Sequence, residues 1–155
     1  MLSGGSPQLT ENDGRDVFQG GAGSGDYADY SVRNVALTLR LDGVANDGRT
    51  GSTELENLPS DVEYILGGKQ NDLITGNSLA NVLSGGGGAD TLKGGSGNDQ
   101  LIASFTLDAL VDQVFGNAGN DYLFIQDGKL DNHSGIVGTD FFSPDAGDLL
   151  VPDQL

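Results

Sequence analysis

Residues 67–102 read GGKQNDLIT, GNSLANVLS, GGGGADTLK and GGSGNDQLI, which are four contiguous blocks of nine residues. In each block the sixth residue is Asp or Asn and the eighth is Ile or Leu. Two columns that recur together at a fixed period indicate a repeat architecture, in which every block forms one unit that stacks on its neighbours. A flexible glycine-rich linker would have no reason to place an aliphatic residue at every ninth position.

The same period continues on both sides of these blocks. GNAGNDYLF (116–124) is another good copy, LPSDVEYIL (58–66) stays in register, and ASFTLDALV (103–111) keeps only the acid and the aliphatic residue. We interpret DQVF (112–115) as a four-residue insertion. The sixth position then runs Glu63, Asp72, Asn81, Asp90, Asp99, Asp108 and Asp121, and the eighth runs Ile65, Ile74, Leu83, Leu92, Leu101, Leu110 and Leu123.

Each column has a physical role. Glycine at the first, second and fourth positions permits the positive φ of a tight turn. The last three residues suit a short strand whose central side chain faces inward. Two blocks then make one coil of eighteen residues, with a turn on each side and the aliphatic column between two parallel sheets. We therefore predict an all-β fold, a parallel β-roll, over residues 58–124.

The acidic column creates electrostatic repulsion in such a coil. Asp72 and Asp90 would lie on one edge about one strand spacing, roughly 4.8 Å, apart, and Asp108 would continue that row. Asn81, Asp99 and Asp121 would form the row on the other edge. Carboxylates at that separation repel by about 1 kcal/mol in water and by several times that when partly shielded from it. Because one aliphatic residue per block gives a thin core, we expect a divalent cation between the turns to stabilise the fold.

The composition favours an ion bound by oxygen. The chain has 7 basic and 23 acidic residues, a formal charge of −16, and no cysteine. This charge disfavours nucleic acid and membrane surfaces as partners, and the remaining ligand types, carboxylates and carbonyls, are those that Ca²⁺ prefers. His133 is the single histidine, so a site built on imidazoles is not expected. We find no apolar run long enough to span a membrane and no classical signal segment.

The blocks at residues 85–93 and 94–102 are complete copies of the pattern GGxGxDxUx, in which U is a large aliphatic residue. On these residues the chain resembles the RTX calcium-binding family. The resemblance implies that Ca²⁺ is bound by backbone carbonyls of one turn, by carbonyls of the turn two blocks later, and by the aspartate of each. It covers residues 58–124 well and the rest of the chain poorly.

Carried onto this sequence, the resemblance implies four calcium sites. The first uses Gly68, Gln70, Asp72, Gly85, Gly87 and Asp90. The second uses Asn77, Leu79, Asn81, Gly94, Ser96 and Asp99. If the insertion only bulges outward, the third joins Gly95, Gly97 and Asp99 to Gly116, Ala118 and Asp121. The fourth joins Gly86, Gly88 and Asp90 to Ala103, Phe105 and Asp108. We expect the second site to be weaker than the first because Asn81 is neutral, and the fourth to be weakest because its later turn lacks glycine.

The N-terminal segment holds two degenerate repeats. The first keeps Gly14, Asp16 and Phe18 in register, and the second, GGAGSGDYADY (20–30), carries one extra residue. Asp26 is the candidate calcium ligand of this segment, and a solvated turn aspartate is the alternative of equal weight.

The residues that follow have a different pattern. VALTLRLDG (35–43) alternates apolar and polar residues, which predicts a half-buried strand. Residues 44–61 form a turn-rich stretch that we interpret as an insertion loop. In this loop Asn46, Asp47 and Glu54 are expected to be ordinary polar residues rather than metal ligands.

The C-terminal segment retains one faint copy, GIVGTDFFS (135–143), with Asp140 and Phe142 in register. We expect it to cover the last coil, whose open strand edges would otherwise favour aggregation. The predicted organisation is an N-terminal flanking β segment (1–57), the roll (58–124) and a C-terminal capping segment (125–155).

We find no arrangement of residues in the sequence that points to catalysis. A serine hydrolase requires a base beside its nucleophile, and His133 is not accompanied by a G-x-S-x-G motif. We predict a non-enzymatic calcium-binding module of a secreted or cell-surface protein that folds when Ca²⁺ binds outside the cell, with the type I secretion machinery as a partner. Two alternatives stay open: a structural or adhesive module that self-associates, and an accessory domain of a secreted enzyme acting on a cell-surface polysaccharide.

Overall fold

A computed structural model describes residues 20–53, 56–104, 110–125, 132–134, 137–143 and 149–150 of the chain. These residues form strands and turns, and among them no helical segment has the length and hydropathy of a membrane span. The predicted all-β class is confirmed. The strands are β1 (Tyr27–Asp29), β2 (Leu37–Arg40), β3 (Gly48–Arg49), β4 (Tyr64–Leu66), β5 (Leu73–Thr75), β6 (Val82–Gly86), β7 (Thr91–Ser96), β8 (Gln100–Ser104), β9 (Gln113–Ala118), β10 (Tyr122–Phe124), β11 (Asn132–Ser134), β12 (Phe141–Ser143) and β13 (Leu149–Leu150).

From β4 onward, successive strands belong alternately to two sheets. The six-stranded sheet has the order β1-β4-β6-β8-β10-β12, and the seven-stranded sheet has the order β13-β11-β9-β7-β5-β2-β3. The neighbouring strands pair in parallel, except that β3 runs antiparallel to β2. The short strands are separated by glycine-rich turns, so each turn moves the chain from one sheet to the other.

The strand register follows the period of the sequence. Ile74 pairs with Leu92 in the seven-stranded sheet, and Leu83 pairs with Leu101 in the six-stranded sheet. Both pairs are eighteen positions apart, which is two blocks of nine. Turns that are two blocks apart in the sequence are therefore neighbours in space.

The eighth-position side chains form the core, as side-chain alternation along a strand requires. Six of the seven predicted core residues are completely buried: Ile65, Ile74, Leu83, Leu92, Leu101 and Leu123. The seventh prediction, Leu110, is wrong because its side chain is 43% exposed. Val114 occupies that place instead, since it is completely buried and pairs with Leu92.

The interpretation of DQVF (112–115) as an insertion is also wrong, because most of these residues form a strand. Residues 113–115 belong to β9 and pair with residues 91–93 of β7. The additional residues lie earlier, between the end of β8 at Ser104 and Asp112. Asp108 and Phe105, which were predicted as ligands of the fourth site, lie outside the described residues.

The two flanking regions extend the same sheets. The half-buried strand predicted within residues 35–43 is confirmed as β2, in which Leu37 and Leu39 are buried. At the other end, Phe142 in β12 pairs with Leu123, as its register predicted. The predicted first degenerate repeat, with Gly14, Asp16 and Phe18, lies outside the described residues.

Candidate metal centre

Polar residues directly before the strands form two rows, one along each edge of the paired sheets. The first row precedes strands of the six-stranded sheet and consists of Asp26, Glu63, Asn81, Asp99, Asp121 and Asp140. The second row precedes strands of the seven-stranded sheet and consists of Asp72, Asp90 and Asp112. Parallel pairing of the neighbouring strands places each member beside the next one in its row.

Backbone hydrogen bonds hold the second row in line. The Asp72 N–H donates to Asp90 Oδ1 over 2.7 Å, and the Asp90 N–H donates to Asp112 Oδ1 over 2.7 Å. At the start of the row, Asp72 itself accepts the N–H of Leu37 on Oδ1 and that of Gly68 on Oδ2. Each carboxylate is thus attached to the turn before its own, so its position is fixed by the fold.

The first row has the same linkage over its C-terminal half. The Asn81 N–H donates to Asp99 Oδ1 at 2.8 Å, the Asp99 N–H to Asp121 Oδ1 at 2.9 Å, and the Asp121 N–H to Asp140 Oδ1 at 2.9 Å. Asp140 therefore extends the row beyond the predicted ligands Asn81, Asp99 and Asp121. At the other end, the Asp26 N–H donates to Glu63 Oε2 at 3.0 Å.

Burial of these carboxylates disfavours their ionised form unless a cation lies beside them. Asp99 and Asp121 are each 1% exposed, and within the described part of the chain their Oδ2 atoms are buried without a hydrogen-bond partner. An ionised carboxylate that is removed from water without compensation is strongly destabilising. A divalent cation beside these oxygens would supply the compensation, so the residues present fit a hard metal ion.

The same burial raises the pKa of carboxyl groups in both rows. Desolvation raises the pKa of the Asp72 carboxyl to about 7, against the lowering effect of the N–H groups of Gly68 and Leu37. Desolvation likewise raises the pKa of Asp99 to about 7, and the neighbouring charge of Asp121 adds to the rise. The pKa of Asp121 is also raised by burial. Without a cation, these groups would therefore retain protons to unusually high pH.

Backbone carbonyls would have to provide most of the metal ligands. In the described residues no three His, Cys, Asp or Glu side chains come together as a metal-binding group. Asn77 and Leu79 are two of the predicted carbonyl ligands. Their carbonyl oxygens lie so close to Gly95 and Gly97, respectively, that a β-carbon on either glycine would collide with them. These two glycines have φ of 114° and 128°, so both conformation and space require glycine.

The structure brings together the turns of the first three predicted sites. The turn of Gly68 and the turn of Gly87 are joined by the Gly87 N–H, which donates to the Gly68 carbonyl at 3.1 Å. In the second site the Ser96 N–H donates to the Asn77 carbonyl at 2.8 Å. The turns of the third site are joined by the bond from the Gly97 N–H to the Ala118 carbonyl at 2.8 Å. The same pairs of turns contain the remaining predicted residues of these sites, namely Gln70, Asp72, Gly85, Asp90, Leu79, Asn81, Gly94, Asp99, Gly95, Gly116 and Asp121.

The fourth predicted site has a different composition. Asp112, which the sequence reasoning assigned to an insertion, is the carboxylate that lies next to Asp90. The Ser104 hydroxyl donates to the Gly86 carbonyl at 2.8 Å, and that oxygen was a predicted calcium ligand. The sequence does contain a signal for Asp112, because Asp112-Gln113-Val114 repeats the acid-x-aliphatic pattern of the good copies.

Asn81 interrupts the first row. Its Oδ1 accepts the Asn77 N–H at 2.9 Å, and its Nδ2 is buried without a hydrogen-bond partner among the described residues. The Asn77 side chain donates to the Ser60 carbonyl at 2.9 Å. An amide has one acceptor atom where a carboxylate has two, so this position resembles the other members of the row in place but not in chemistry.

Comparison with known proteins agrees with this geometry. A family model, the RTX calcium-binding nonapeptide repeat, matches residues 60–78, 75–105 and 111–128, in four copies. The matched residues include both complete blocks and the turn of Asp121. No curated protein matches the chain.

Proposed function

Because its repeats belong to the RTX calcium-binding family, we propose that the chain is a module of a secreted protein that folds into a parallel β-roll when Ca²⁺ binds. Calcium ions between neighbouring turns on each edge are the ligands of this module. No catalytic role is assigned to it. The proposed location is outside the cell or at its surface, where calcium reaches the millimolar levels at which extracellular sites typically saturate.

The observation that carries the proposal is the pair of buried, incompletely bonded carboxylates in the first row. Asp99 and Asp121 are adjacent, each 1% exposed, and each has a buried Oδ2 that accepts no hydrogen bond within the described ranges. The arrangement is unfavourable for ionised carboxylates alone and favourable with Ca²⁺ between them. The alternation of the strands between two parallel sheets supports the roll, since it places every turn on one of two edges.

The proposed mechanism follows from coupling between metal binding and folding. In the unfolded chain the aspartates are distant and solvated, so the site exists only after folding and the binding free energy stabilises the fold. Inside the cell, where calcium is low, repulsion within the rows keeps the repeats unfolded. Outside, binding completes the roll and makes export directional, with the type I machinery as the proposed route.

The experiment is a calcium titration of the full chain followed by far-UV circular dichroism, with Mg²⁺ as the matched ion. We expect β-structure to appear with Ca²⁺ and not with Mg²⁺, because Mg²⁺ demands stricter octahedral geometry and loses its water reluctantly. Asp99→Asn should raise the calcium midpoint, whereas Asp42→Asn, at an exposed site outside the rows, should leave it unchanged. A chain whose repeats are equally folded after calcium removal would contradict the proposal.

A second candidate function, an adhesive module, is favoured by aromatic residues on the outer face of the six-stranded sheet. Tyr27 stacks on Tyr64 with ring centroids 4.4 Å apart, and Tyr122 contacts Phe124 at 4.4 Å and Phe141 at 6.1 Å. Phe141 is 60% exposed. Exposed aromatic surfaces are common at contacts with proteins and other ligands.

Two assays distinguish the partners of such a surface. Self-association would appear as larger species in sedimentation velocity with Ca²⁺ and would decrease in a Tyr122→Ser, Phe141→Ser variant. Retention on an insoluble neutral polysaccharide that the same variant abolishes would instead indicate a carbohydrate partner. Unchanged behaviour of the variant in both assays would leave the calcium module without an adhesive role.

A further inference from the structure

The N-terminal end of the structure contains a buried charge that is neutralised by the chain itself. Arg33 and Glu56 are 1% and 0% exposed and form an ion pair of 2.7 Å. The hydroxyl of buried Tyr30 donates to the second oxygen of Glu56 at 2.6 Å. Both oxygens of this carboxylate are therefore engaged by side chains, whereas Asp99 and Asp121 each have a buried Oδ2 that accepts no hydrogen bond within the described residues.

A second carboxylate closes the loop that follows β2. Asp47 accepts the N–H of Arg40 at 2.6 Å and the N–H of Leu58 at 2.9 Å. Its backbone exchanges two hydrogen bonds with Glu56, at 3.1 and 3.2 Å. The two ends of the loop are thus fixed to each other and to β2 by bonds that need no added ion.

The hydrophobic core is also densest at this end. Among the thirty-three described residues between 28 and 62, seven are core side chains, namely Ala28, Tyr30, Leu37, Leu39, Leu41, Leu58 and Val62. Within residues 66–102, four of thirty-seven residues are core side chains, namely Ile74, Leu83, Leu92 and Leu101. The N-terminal residues therefore gain more hydrophobic stabilisation per residue than the repeats.

On the edge of the second row, neutral groups join this end to the repeats. Leu37 lies where the second row would otherwise continue, and its N–H donates to Asp72 at 2.8 Å, so no second carboxylate faces Asp72 from that side. The Gln70 side chain donates to the Asn34 side chain at 3.2 Å across the same pair of turns. On the other edge, the Asn77 side chain donates to the Ser60 carbonyl.

From these observations we infer that residues 28–53 and 56–62 form a cap that folds without calcium and serves as the template on which the calcium-bound turns assemble. The inference rests on the proposed function, because it divides the chain into a part that is folded before calcium arrives and a part that is not. Assembly then proceeds from the cap, and the turns of Asp72 and Asp90 are the first calcium site next to it.

The test is amide hydrogen exchange on the full chain, with calcium removed and with calcium present. In calcium-free buffer the amides of Arg40, Asp47 and Glu56 should exchange at least about tenfold more slowly than in an unfolded peptide. The amides of Gln100 and Tyr122, which donate to Asn81 and Asp99 in the folded repeats, should exchange at the unfolded rate. With Ca²⁺ both groups should be protected.

Variants connect the protection to the buried ion pair. Glu56→Gln leaves the buried Arg33 charge uncompensated, so it should remove the calcium-free protection and raise the calcium midpoint for the repeats. A triple variant, Tyr30→Phe, Arg33→Met and Glu56→Leu, removes all three polar partners together and should restore the protection. Asp42→Asn, at an exposed residue of the same loop, is the matched control and should change neither.

The outcomes separate the two ideas. If neither group of amides is protected without calcium and both are protected with it, the cap is overturned and the calcium module stands. If both groups are protected without calcium, the calcium-triggered folding itself is overturned, and the cap with it. If the amides of the cap are still protected without calcium in the Glu56→Gln variant, the claim that the buried ion pair stabilises the cap is overturned.

Discussion

The aspartates of the two rows combine a structural task with a binding task. One oxygen of Asp99 accepts the Asn81 N–H, and the other is buried toward the turn. Asn81 performs only part of this, because its amide has one acceptor and no charge. The sequence revealed this difference directly, since the sixth position of an otherwise regular repeat is neutral there.

Replacing Asn81 with Asp should therefore strengthen calcium binding. The added carboxylate restores a charged ligand opposite Asp99, so the calcium concentration at half-folding should decrease by about tenfold, which corresponds to about 1.4 kcal/mol. Without calcium the same change should destabilise the fold, because it adds repulsion. Calcium titration followed by circular dichroism measures the first effect and denaturation of the calcium-free chain measures the second, and Asn71→Asp, in a turn but outside the rows, is the control of equal charge. A variant that binds calcium no better than the wild type would contradict the role of this position.

The turn glycines make a second prediction at the same scale. Gly97 has φ of 128°, and a β-carbon there would contact the Leu79 carbonyl. Gly97→Ala should therefore lower the free energy of unfolding in saturating calcium by roughly 1–3 kcal/mol through backbone strain. Gly23→Ala is the control, because no atom lies within 4 Å of its β-carbon position. Equal denaturation curves for the two variants would show that the turn does not require glycine.

The strands were predictable where the period is unbroken and not where it is interrupted. Two segments, Asp108-Ala109-Leu110 and Asp112-Gln113-Val114, carry the same acid-x-aliphatic pattern four residues apart. Spacing from the preceding block favours the first, and continuity with the turn of Gly116 favours the second. The structure follows the second, because β9 then runs directly into that turn and pairs with β7 over its whole length. A local sequence pattern contains no information on that pairing, which involves residues 22 positions away.

This register gives a direct mutational contrast. Val114→Ala should destabilise the calcium-bound fold by about 2 kcal/mol, since it removes methyl groups from a completely buried position. Leu110→Ala should change stability by less than about 0.5 kcal/mol, because its side chain is 43% exposed. Chemical denaturation in saturating calcium measures both. The reverse order of effects would restore the register first expected from the spacing.

Across the whole molecule, the sequence predicted the fold class, the two edges and most of the paired turns, because these follow from a fixed period. It did not predict the buried Arg33–Glu56 pair. The two residues are 23 positions apart in a region without a repeat, and a charged residue in a polar loop is normally expected to be solvated. Only tertiary packing identifies them as interior residues.

The raised pKa values of buried aspartates predict how the stability of the calcium-free chain depends on pH. Burial raises the pKa of Asp72 and Asp99 from the ordinary 3.8 to about 7, so between these values the folded state binds more protons than the unfolded state. Stability should therefore be greatest below about pH 4 and should fall as pH rises toward 7. Circular dichroism in buffer freed of calcium measures this. With calcium the dependence should reverse, because binding requires the deprotonated ligands, and a pH-independent calcium-free chain would contradict the burial of these groups.

The antiparallel strand β3 has a consequence for contacts between molecules. A stack of parallel strands can in principle grow without limit, as another chain adds its own strand in the same direction to an open edge. At the N-terminal end of the seven-stranded sheet that edge is occupied by two residues running the opposite way. A second molecule that adds at this edge therefore meets a two-residue antiparallel strand, which disfavours growth of a parallel stack from that end of the sheet.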